Sequence, residues 1–280
     1  MRIKVNDEFS KLKTVIVASA ETYYDHDAIN NNQLLYYQES PPSKKLLIEQ
    51  QKQFFEILDN NGVELLFSTP LMDCPDQLNT RDPSFCIGNT FFISAMKESL
   101  RKREKDGLIE IVKSIDSQVV SLEDCTIEGG DIIVHGDTVF VGISRRTNMN
   151  GLKVLKTYID STISVVPVVL KDGFLHLDTV FNTIDNKLAL CCQDAISEES
   201  LGILRQEFEL INVTLEEQLH LGTNVLSLAP HKVVSQTCNS RINDELRSRN
   251  IEVITTDYSE GAKLGGAFRC ATCPLIRENY

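Results

Sequence analysis

The sequence predicts an α/β fold in which five ββαβ units close into one ring. Polar turns recur at intervals of roughly 48 residues, and each turn separates two short apolar runs, as in IIVHGDTVFVGI. A tight polar turn between apolar runs is typical of a β-hairpin. The four predicted turns are Gly88-Asn89, Gly136-Asp137, Asp185-Asn186 and Pro230-His231. Each hairpin is followed by a helix-like stretch and by another short apolar strand, which completes the unit.

The helices that follow these hairpins are predicted over residues 99–112, 150–158, 198–208 and 240–249. The N-terminal unit is less regular, with a strand KTVIVAS, a helix over residues 44–60 and a strand VELLFS. Ser43 is a suitable N-cap for that helix, its apolar residues share one face, and Gly62 marks its end.

Residues 1–280 are predicted to form a single domain. The hydrophobic content of 42% and the charged content of 24% are typical of a globular chain, and no low-complexity tract interrupts it. Repeats that cannot bury their own apolar faces must pack on one another. Because no linker separates the five units, closure into one ring is the simplest arrangement.

Composition also limits the partners. The formal net charge of -12 argues against nucleic acid and against an anionic membrane, since both require a basic surface. A small cationic ligand remains compatible with it. The N-terminus shows no signal-peptide pattern, and no apolar run approaches the ~20 residues of a membrane helix. The prediction is a soluble cytoplasmic protein.

Eight cysteines are scattered along the chain, and GGAFRCATCPLIRE holds the one Cys-x-x-Cys pair, Cys270 and Cys273. A structural zinc site needs four ligands, usually as two close pairs, and the five histidines offer no matching pair. A thioredoxin-like pair would open a helix, whereas here the chain ends seven residues after Cys273. The cysteine pattern therefore predicts neither a metal site nor a redox pair.

Polar residues collect in the five segments that lead from the third strand of a unit to the next hairpin. These segments contain CPDQLNTRD, EDCTIEGGD, KDGFLHLD, EEQLHLG and EGAKLGGAFRC. In a closed ring, equivalent segments face the same end of the axis. The residues expected to converge there are Asp82, Glu128, Asp131, His176, Asp178, His220 and Cys270.

This set combines several carboxylates with a thiol and an imidazole. Carboxylates in a recess bind a planar cation such as guanidinium through paired, charge-assisted hydrogen bonds. A thiolate is a nucleophile suited to a trigonal carbon, and an imidazole carries protons at neutral pH. Together these groups are suited to cleaving a guanidinium C–N bond.

The order of TRD, EGGD, HLD and a late GG-x-x-x-C resembles the guanidino-group-modifying enzymes. That superfamily includes arginine deiminase, dimethylarginine dimethylaminohydrolase and the amidinotransferases, and its fold is a five-bladed α/β-propeller, the pentein fold. The resemblance covers essentially the whole chain and implies one catalytic domain without a cofactor. It also implies a small guanidine substrate, and a homodimer is possible on this scaffold.

For catalysis, the resemblance implies that Cys270 is the nucleophile and that His176 is the general acid and base. Glu128 of EGGD would lie beside the departing nitrogen. Cys273 occupies a neighbouring, non-catalytic position. The LHL sequence around His220 echoes that around His176, but His220 is followed by Gly222 rather than by an aspartate, which favours a structural or rim position.

For substrate binding, the resemblance implies that Asp82 and Asp178 grip the guanidinium and that Asp131 lies in the same site. Arg146 of GISRRTN and Arg101 of LRKRE are similar to arginines that bind the α-carboxylate of the substrate. The implied substrate is arginine or a close relative.

The predicted reaction is hydrolysis of arginine to citrulline and ammonia through an amidino-cysteine. Transfer of the amidino group to an amine and hydrolysis of methylated arginine are the alternatives. Asp178 favours an unmethylated guanidinium, because a second carboxylate can then bond both terminal nitrogens. A non-catalytic binding protein on the same scaffold is a further alternative, although a binder has no need of the thiol and the imidazole together.

Overall fold

Five separate three-stranded sheets form the framework of the computed structural model, which describes residues 1–278. In each sheet the middle strand is antiparallel to one neighbour and parallel to the other. With the strands of each sheet given in spatial order, the first sheet contains β15 (Cys273–Glu278), β1 (Lys11–Val17) and β2 (Glu64–Phe67), and the second contains β3 (Ser84–Ile87), β4 (Thr90–Ile93) and β5 (Gln118–Ser121). The third sheet contains β6 (Ile132–His135), β7 (Thr138–Ile143) and β8 (Ser164–Val169), and the fourth contains β9 (Phe181–Thr183), β10 (Leu188–Cys191) and β11 (Glu209–Asn212). The fifth sheet contains β12 (Leu226–Ala229), β13 (Lys232–Gln236) and β14 (Glu252–Thr256). The five predicted units are thus observed as five sheets, and the first sheet joins both ends of the described chain.

A helix connects the middle strand of each sheet to its parallel neighbour. These helices are α2 (Lys44–Asn60), α3 (Ile109–Ser114), α4 (Met149–Lys156), α5 (Glu198–Glu207) and α7 (Ser240–Ser248). Further helices lie outside this pattern, at α1 (Asn31–Glu39), α6 (Leu215–Leu219) and α8 (Ser259–Lys263). Short 3₁₀ helices cover Ala20–Thr22, Ser99–Arg101, Glu104–Leu108, Gly129–Asp131, Leu177–Thr179 and Gln193–Ala195.

Helix α2 begins and ends where the sequence predicts. The Ser43 side chain accepts a hydrogen bond from the backbone N–H of Leu46, which satisfies one free donor of the first turn. Gly62 follows the helix with φ +72°, a left-handed conformation that glycine adopts without strain. Phe54 and Leu58 are fully buried against the first and fifth sheets.

Residues 99–112 do not form the single helix that the sequence predicts. They divide into two 3₁₀ helices and the start of α3. Gly107 lies in the middle of this stretch, and a Cβ atom there would be 2.4 Å from Nε2 of Gln77. Gly107 lies inside the second 3₁₀ helix, and glycine has a low helix propensity, which disfavours one continuous α-helix here.

The predicted hairpin turns are confirmed at three sites, where two residues connect the strands. The third hairpin has a longer turn, because β9 ends at Thr183 and β10 begins at Leu188. Apolar side chains between the sheets and their helices form the core, in several clusters. Within residues 1–278, every helix is too short or too polar to cross a bilayer.

Candidate active site

The segments that lead into the first strands of the sheets bring four functional side chains to one buried place. Asp82 precedes β3, Glu128 precedes β6, His176 precedes β9 and Cys270 precedes β15. Each of these residues is at most 2% exposed. Residues that are far apart in the sequence therefore meet where the sequence analysis expected them to meet.

His176 lies between two carboxylates. Its Nε2 atom is 2.8 Å from Oε2 of Glu128, and its Nδ1 atom is 3.5 Å from Oδ1 of Asp82. Burial by itself lowers the pKa of His176, but the charges of Asp82 and Asp131 and the hydrogen bond to Glu128 raise it to about 9. The imidazole consequently carries a proton at neutral pH and can donate it to a departing nitrogen.

Glu128 remains ionised beside this imidazole. Burial raises the pKa of Glu128, but His176 and Arg146 reverse that effect and lower the pKa to about 2. Its Oε1 atom accepts the backbone N–H of Lys97 at 3.0 Å, and its Oε2 atom accepts Nη1 of Arg146 at 3.3 Å. The carboxylate is thus fixed in one orientation toward His176.

The second glycine of EGGD allows the histidine and the aspartate to approach each other. A Cβ atom at Gly130 would lie 2.7 Å from Oδ1 of Asp82 and 2.8 Å from Cγ of His176. Any larger residue would displace both side chains, so the glycine is required for close packing of the three segments.

Asp131 differs from Asp82 and Asp178 because both of its oxygens accept hydrogen bonds within the protein. Oδ1 accepts the backbone N–H of Leu177 at 2.8 Å, and Oδ2 accepts the Ser144 hydroxyl at 2.7 Å. Burial raises the pKa of Asp131 to about 7. These contacts hold the backbone of the HLD motif. The predicted part of Asp131 in substrate binding stays a prediction.

The Cys270 sulfur lies beside Asp178. Its Sγ atom is 3.4 Å from Oδ2 of Asp178 and 3.1 Å from Nδ2 of Asn224. Burial, followed by the negative charges of Asp178 and Asp82, raises the pKa of Cys270 well above the usual value of a thiol. In the free protein the group is therefore a thiol, and a cation bound among the carboxylates would favour the thiolate.

Arg269 neutralises part of this acidic cluster, and the sequence analysis did not identify it. Its Nη1 atom donates to Oδ2 of Asp178 at 2.7 Å, and its Nη2 atom donates to Oε1 of Glu8 at 3.0 Å. Burial raises the pKa of Glu8, but Arg269 and Arg81 lower it to about 2. The position of Arg269 directly before Cys270 is a signal that could have indicated it, whereas nothing in the sequence around Glu8 points to the site.

Asp82 and Asp178 each have one oxygen that accepts no hydrogen bond. Their Oδ2 atoms accept Nη1 of Arg101 at 2.6 Å and Nη1 of Arg269 at 2.7 Å. Their Oδ1 atoms are buried and have no hydrogen-bond partner in the part of the chain that is described, although Oδ1 of Asp82 lies 3.5 Å from Nδ1 of His176 and pairs with its charge. A buried acceptor without a donor is costly, so this pair is suited to receive N–H groups from a ligand.

The guanidinium groups of Arg101 and Arg146 face the acids of the site. Nε and Nη2 of Arg101 bond the two oxygens of Glu104 at 2.8 Å each, and Nη1 bonds Asp82. Arg146 bonds Glu128 and, through Nη2 at 2.8 Å, the carbonyl of Ile29. These arginines were expected to bind a substrate carboxylate. In this structure their donors are directed to protein oxygens, because buried guanidinium groups need such partners. Their contact with a substrate carboxylate stays a prediction.

The remaining two predicted positions lie away from the cluster. Cys273 is buried in β15 within an apolar cluster that includes Ile16 and Phe91. His220 is exposed at the C-terminal end of α6.

Three of the clustered residues could also supply metal ligands. One ligand atom from each of Asp82, Glu128 and His176 lies within 4.8 Å of the others. Here the Nε2 atom of His176 is hydrogen-bonded to Glu128, so these groups already serve each other as donor and acceptor.

A cavity of about 490 Å³ is lined in part by sequence neighbours of the clustered residues, although the clustered side chains themselves do not line it. Phe174, Leu175, Thr179 and Gly265 form part of its wall, and these residues flank the HLD motif and the glycine pair before Cys270. Its rim carries Asp172 and Glu216.

Comparison with solved structures identifies the fold. The chain superposes on SxtG, an amidinotransferase of the saxitoxin biosynthetic pathway in Microseira wollei, with a TM-score of 0.81 and 18% identity; the match covers 99% of this chain and 98% of that one. The N-terminal domain of ArgZ, an arginine dihydrolase from the ornithine-ammonia cycle in cyanobacteria, gives a TM-score of 0.86 and 19% identity, over 95% and 98% of the two chains. At this identity the match establishes the fold alone.

Sequence comparison specifies the family. The chain belongs to the family described as N,N dimethylarginine dimethylhydrolase, eukaryotic, whose family model matches residues 19–277. An uncharacterized protein of Bacillus subtilis (strain 168), YkgA, is 38% identical over 79% of this chain and 77% of its own length. An arginine deiminase of Listeria monocytogenes serotype 4b (strain CLIP80459) is 31% identical over 73% of this chain, which spans 62% of the deiminase. The resemblance predicted from the four motifs is thereby confirmed.

Proposed function

We propose that the protein is a cysteine-dependent hydrolase that cleaves a guanidinium C–N bond of arginine or a close relative. The observation that carries the proposal is the pair of buried oxygens that accept no hydrogen bond, Oδ1 of Asp82 and Oδ1 of Asp178, in a site that also contains the Cys270 thiol. Two carboxylates can bond N–H groups on both sides of a planar guanidinium and place its carbon near the sulfur.

The first half-reaction forms an amidino-cysteine. As the cation enters between Asp82 and Asp178, it offsets their charge and the thiol releases its proton to solvent. The Cys270 thiolate then adds to the guanidinium carbon. His176 donates its proton to the terminal nitrogen, the C–N bond breaks and ammonia leaves. Glu128 stabilises the charged imidazole and fixes its orientation.

The second half-reaction returns the enzyme to its starting state. Neutral His176 takes a proton from water, and the resulting hydroxide adds to the amidino carbon. The C–S bond then breaks, the hydroxyl proton of the adduct passes to the sulfur and restores the thiol, and citrulline leaves while His176 keeps the proton that it took from water. Thiol, imidazole and carboxylates supply every group that this sequence of steps requires.

The arrangement of the five sheets supports a single catalytic domain over residues 1–280 with the form of a five-bladed propeller. Contacts link β1 with β12, β15 with β3, and β6 with β9, so strands of neighbouring sheets lie side by side. We propose that the substrate enters through the cavity beside Leu175 and Gly265, since Asp172 and Glu216 at its rim attract a cation.

Product analysis by mass spectrometry tests the proposal. Arginine is incubated with the wild-type protein, with Cys270→Ala and with the matched variant Cys273→Ala, each with and without glycine. The expected result is citrulline and ammonia from wild type and from Cys273→Ala, independent of glycine, and no turnover by Cys270→Ala. If ornithine and an amidinated glycine form, and only when glycine is present, the proposal of hydrolysis is wrong and the protein is an amidinotransferase.

Hydrolysis of dimethylarginine is the second candidate, and the family match favours it. Two methyl groups on one nitrogen remove both of its N–H donors, which leaves one of the two free carboxylate oxygens without a partner. We therefore expect arginine to be the better substrate. Citrulline and dimethylamine formed from dimethylarginine at a kcat/KM above that for arginine would reverse this order.

A further inference from the structure

Asn224 connects the sulfur of Cys270 to the surrounding backbone, and no motif in the sequence analysis indicated it. Its side chain is fully buried. Its Oδ1 atom accepts the backbone N–H of Ala267 at 3.2 Å and that of Cys270 at 3.1 Å. Its Nδ2 atom lies 3.1 Å from Sγ of Cys270 and 3.2 Å from the carbonyl oxygen of Asp178.

These contacts fix which way the amide faces. The two backbone N–H groups are donors, so the atom that faces them must be the carbonyl oxygen of the side chain. The NH₂ group then faces the sulfur and the Asp178 carbonyl, and each of its two hydrogens has one acceptor. Rotation by 180° would place donors against donors on one side, which excludes the opposite orientation.

We propose that Asn224 is a positioning residue for the nucleophile: its amide directs the Cys270 sulfur and stabilises the thiolate through a donated hydrogen bond. The inference rests on the proposed role of Cys270 and extends it. A hydrogen bond to the charged form of a group favours ionisation, and a bond to an ion is stronger than one to a neutral partner.

The charged groups around the sulfur show why such a donor is needed. Asp178 and Asp82 oppose ionisation of Cys270, whereas Arg269 favours it. Arg269 acts across Asp178, to which it is bonded, and Tyr258 is a further ionisable group that interacts electrostatically with Cys270. Asn224 is the side chain that donates directly to the sulfur.

A second asparagine holds Asn224 in place. Nδ2 of Asn182, in β9, donates to the carbonyl oxygens of Thr223 and Val225 at 2.9 Å each. Those two residues flank Asn224, so its backbone is clamped on both sides. Asn182 of the fourth sheet thus holds the Asn224 amide in place, and that amide contacts Cys270, which precedes β15 of the first sheet.

The test measures how the rate of iodoacetamide alkylation at Cys270 depends on pH. Mass spectrometry of the digested protein reports Cys270 separately, and the exposed Cys238 in the same digest serves as an internal reference. The midpoint of the profile reports thiol ionisation when the rate is proportional to the iodoacetamide concentration, because the chemical step and not access to the buried site then limits the rate. The proteins are wild type, Asn224→Asp, Asn224→Ala and Asn243→Asp.

Asn224→Asp keeps an oxygen for the two backbone donors but directs a negative charge at the sulfur. We expect its midpoint to rise by about one pH unit or more, a tenfold loss of thiolate, because one unit is a tenfold change in ionisation. Asn224→Ala removes the donor without adding charge and should raise the midpoint less. Asn243 is a buried asparagine of α7 that donates to the carbonyl of Gln236, so Asn243→Asp controls for the substitution and should leave the midpoint unchanged.

Unchanged midpoints in folded Asn224→Asp and Asn224→Ala would overturn the inference and leave Asn224 a structural residue. If the Asp substitution prevents folding, the Ala variant decides by the same criterion. The outcome is separable from that of the proposed function, because alkylation requires no substrate. Shifted midpoints in a protein that does not turn over arginine would retain the role of Asn224 and reject the substrate.

Discussion

Two segments of the chain carry the same Leu-His-Leu-x-Thr sequence, one repeat apart, and fold differently. In FLHLDTVF, His176 is fully buried between Glu128 and Asp82. In QLHLGTNVL, His220 is exposed at the end of a helix. The comparison shows that the residues preceding such a motif decide whether its histidine reaches the site.

The preceding residues differ in a way that has a clear physical effect. Thr214 and Glu217 form a capping box, in which each side chain bonds the backbone N–H of the other, and this starts α6. His220 follows the last residue of that helix and therefore points outward. In the other segment Gly173 has φ +100°, which turns the chain. His176 then lies in extended backbone (φ -137°, ψ 163°) directed into the interior.

The residue two positions after each histidine reinforces the difference. Asp178 is buried and bonded to Arg269. A Cβ atom at Gly222, the equivalent position, would lie 2.5 Å from Cδ1 of Ile242. The second segment thus has no space for a carboxylate where the first has one of its functional acids.

The largest expected difference between the segments is in activity. His176→Asn should lower kcat by at least about a hundredfold, because general acid and base catalysis contributes factors of that size. His220→Asn should leave kcat within about twofold, since an exposed side chain outside the cluster takes no part in proton transfer. Steady-state rates of ammonia release from arginine measure both. Equal losses of kcat in the two variants would mean that His220, like His176, takes part in catalysis.

The second difference concerns stability and its dependence on pH. The folded-state pKa of His176 is about 9, above its usual value of 6.5, so its charge stabilises the folded state fully below about pH 6.5. That contribution is lost as the pH rises through 9. Its full size is about 3 kcal/mol, from roughly 1.4 kcal/mol for each pH unit between the two values.

Urea unfolding of wild type and His176→Asn at pH 6 and pH 9.5 measures this contribution. The stability advantage of the wild type should shrink by about 3 kcal/mol between the two pH values. The His220→Asn variant should track the wild type throughout. A gap between wild type and His176→Asn that is independent of pH would show that His176 is uncharged in the folded protein.

The sequence was sufficient to predict the features that depend on local patterns. The hairpins, the bounds of α2 and the meeting of the TRD, EGGD, HLD and Cys270 segments all follow from periodicity and order. It was insufficient where long-range partners decide the outcome. Residues 99–112 have the pattern of one charged helix, yet the side chains of Arg101 and Glu104 are buried. Arg101 donates hydrogen bonds to both Glu104 and Asp82. The sequence did not indicate Asn224, because its proposed role depends on backbone donors that lie 43 and 46 residues away in the chain.

The smallest expected effect comes from removing the capping box that starts α6, which is the feature that distinguishes the His220 segment from the His176 segment. Thr214→Ala removes the side-chain acceptor for the backbone N–H of Glu217, which lies 3.2 Å away. Loss of an N-cap costs about 1 kcal/mol, and α6 is short enough for that loss to loosen the whole helix. The measurement is the free energy of unfolding in urea.

Thr237→Ala provides the matched control, because Thr237 is exposed and caps no helix in the described chain, so its removal should cost less than about 0.5 kcal/mol.

The kcat of Thr214→Ala shows whether loosening α6 also disturbs the candidate active site. Gln218 of α6 donates to the carbonyl of Thr179, one residue after Asp178, so a loosened helix also weakens a contact with the HLD segment. We expect kcat to fall by less than about twofold, since Asp178 is held independently by Arg269, whose charge-assisted bond is the stronger one. A loss of activity as large as that of His176→Asn would mean that the exposed segment, through its helix, positions the buried one.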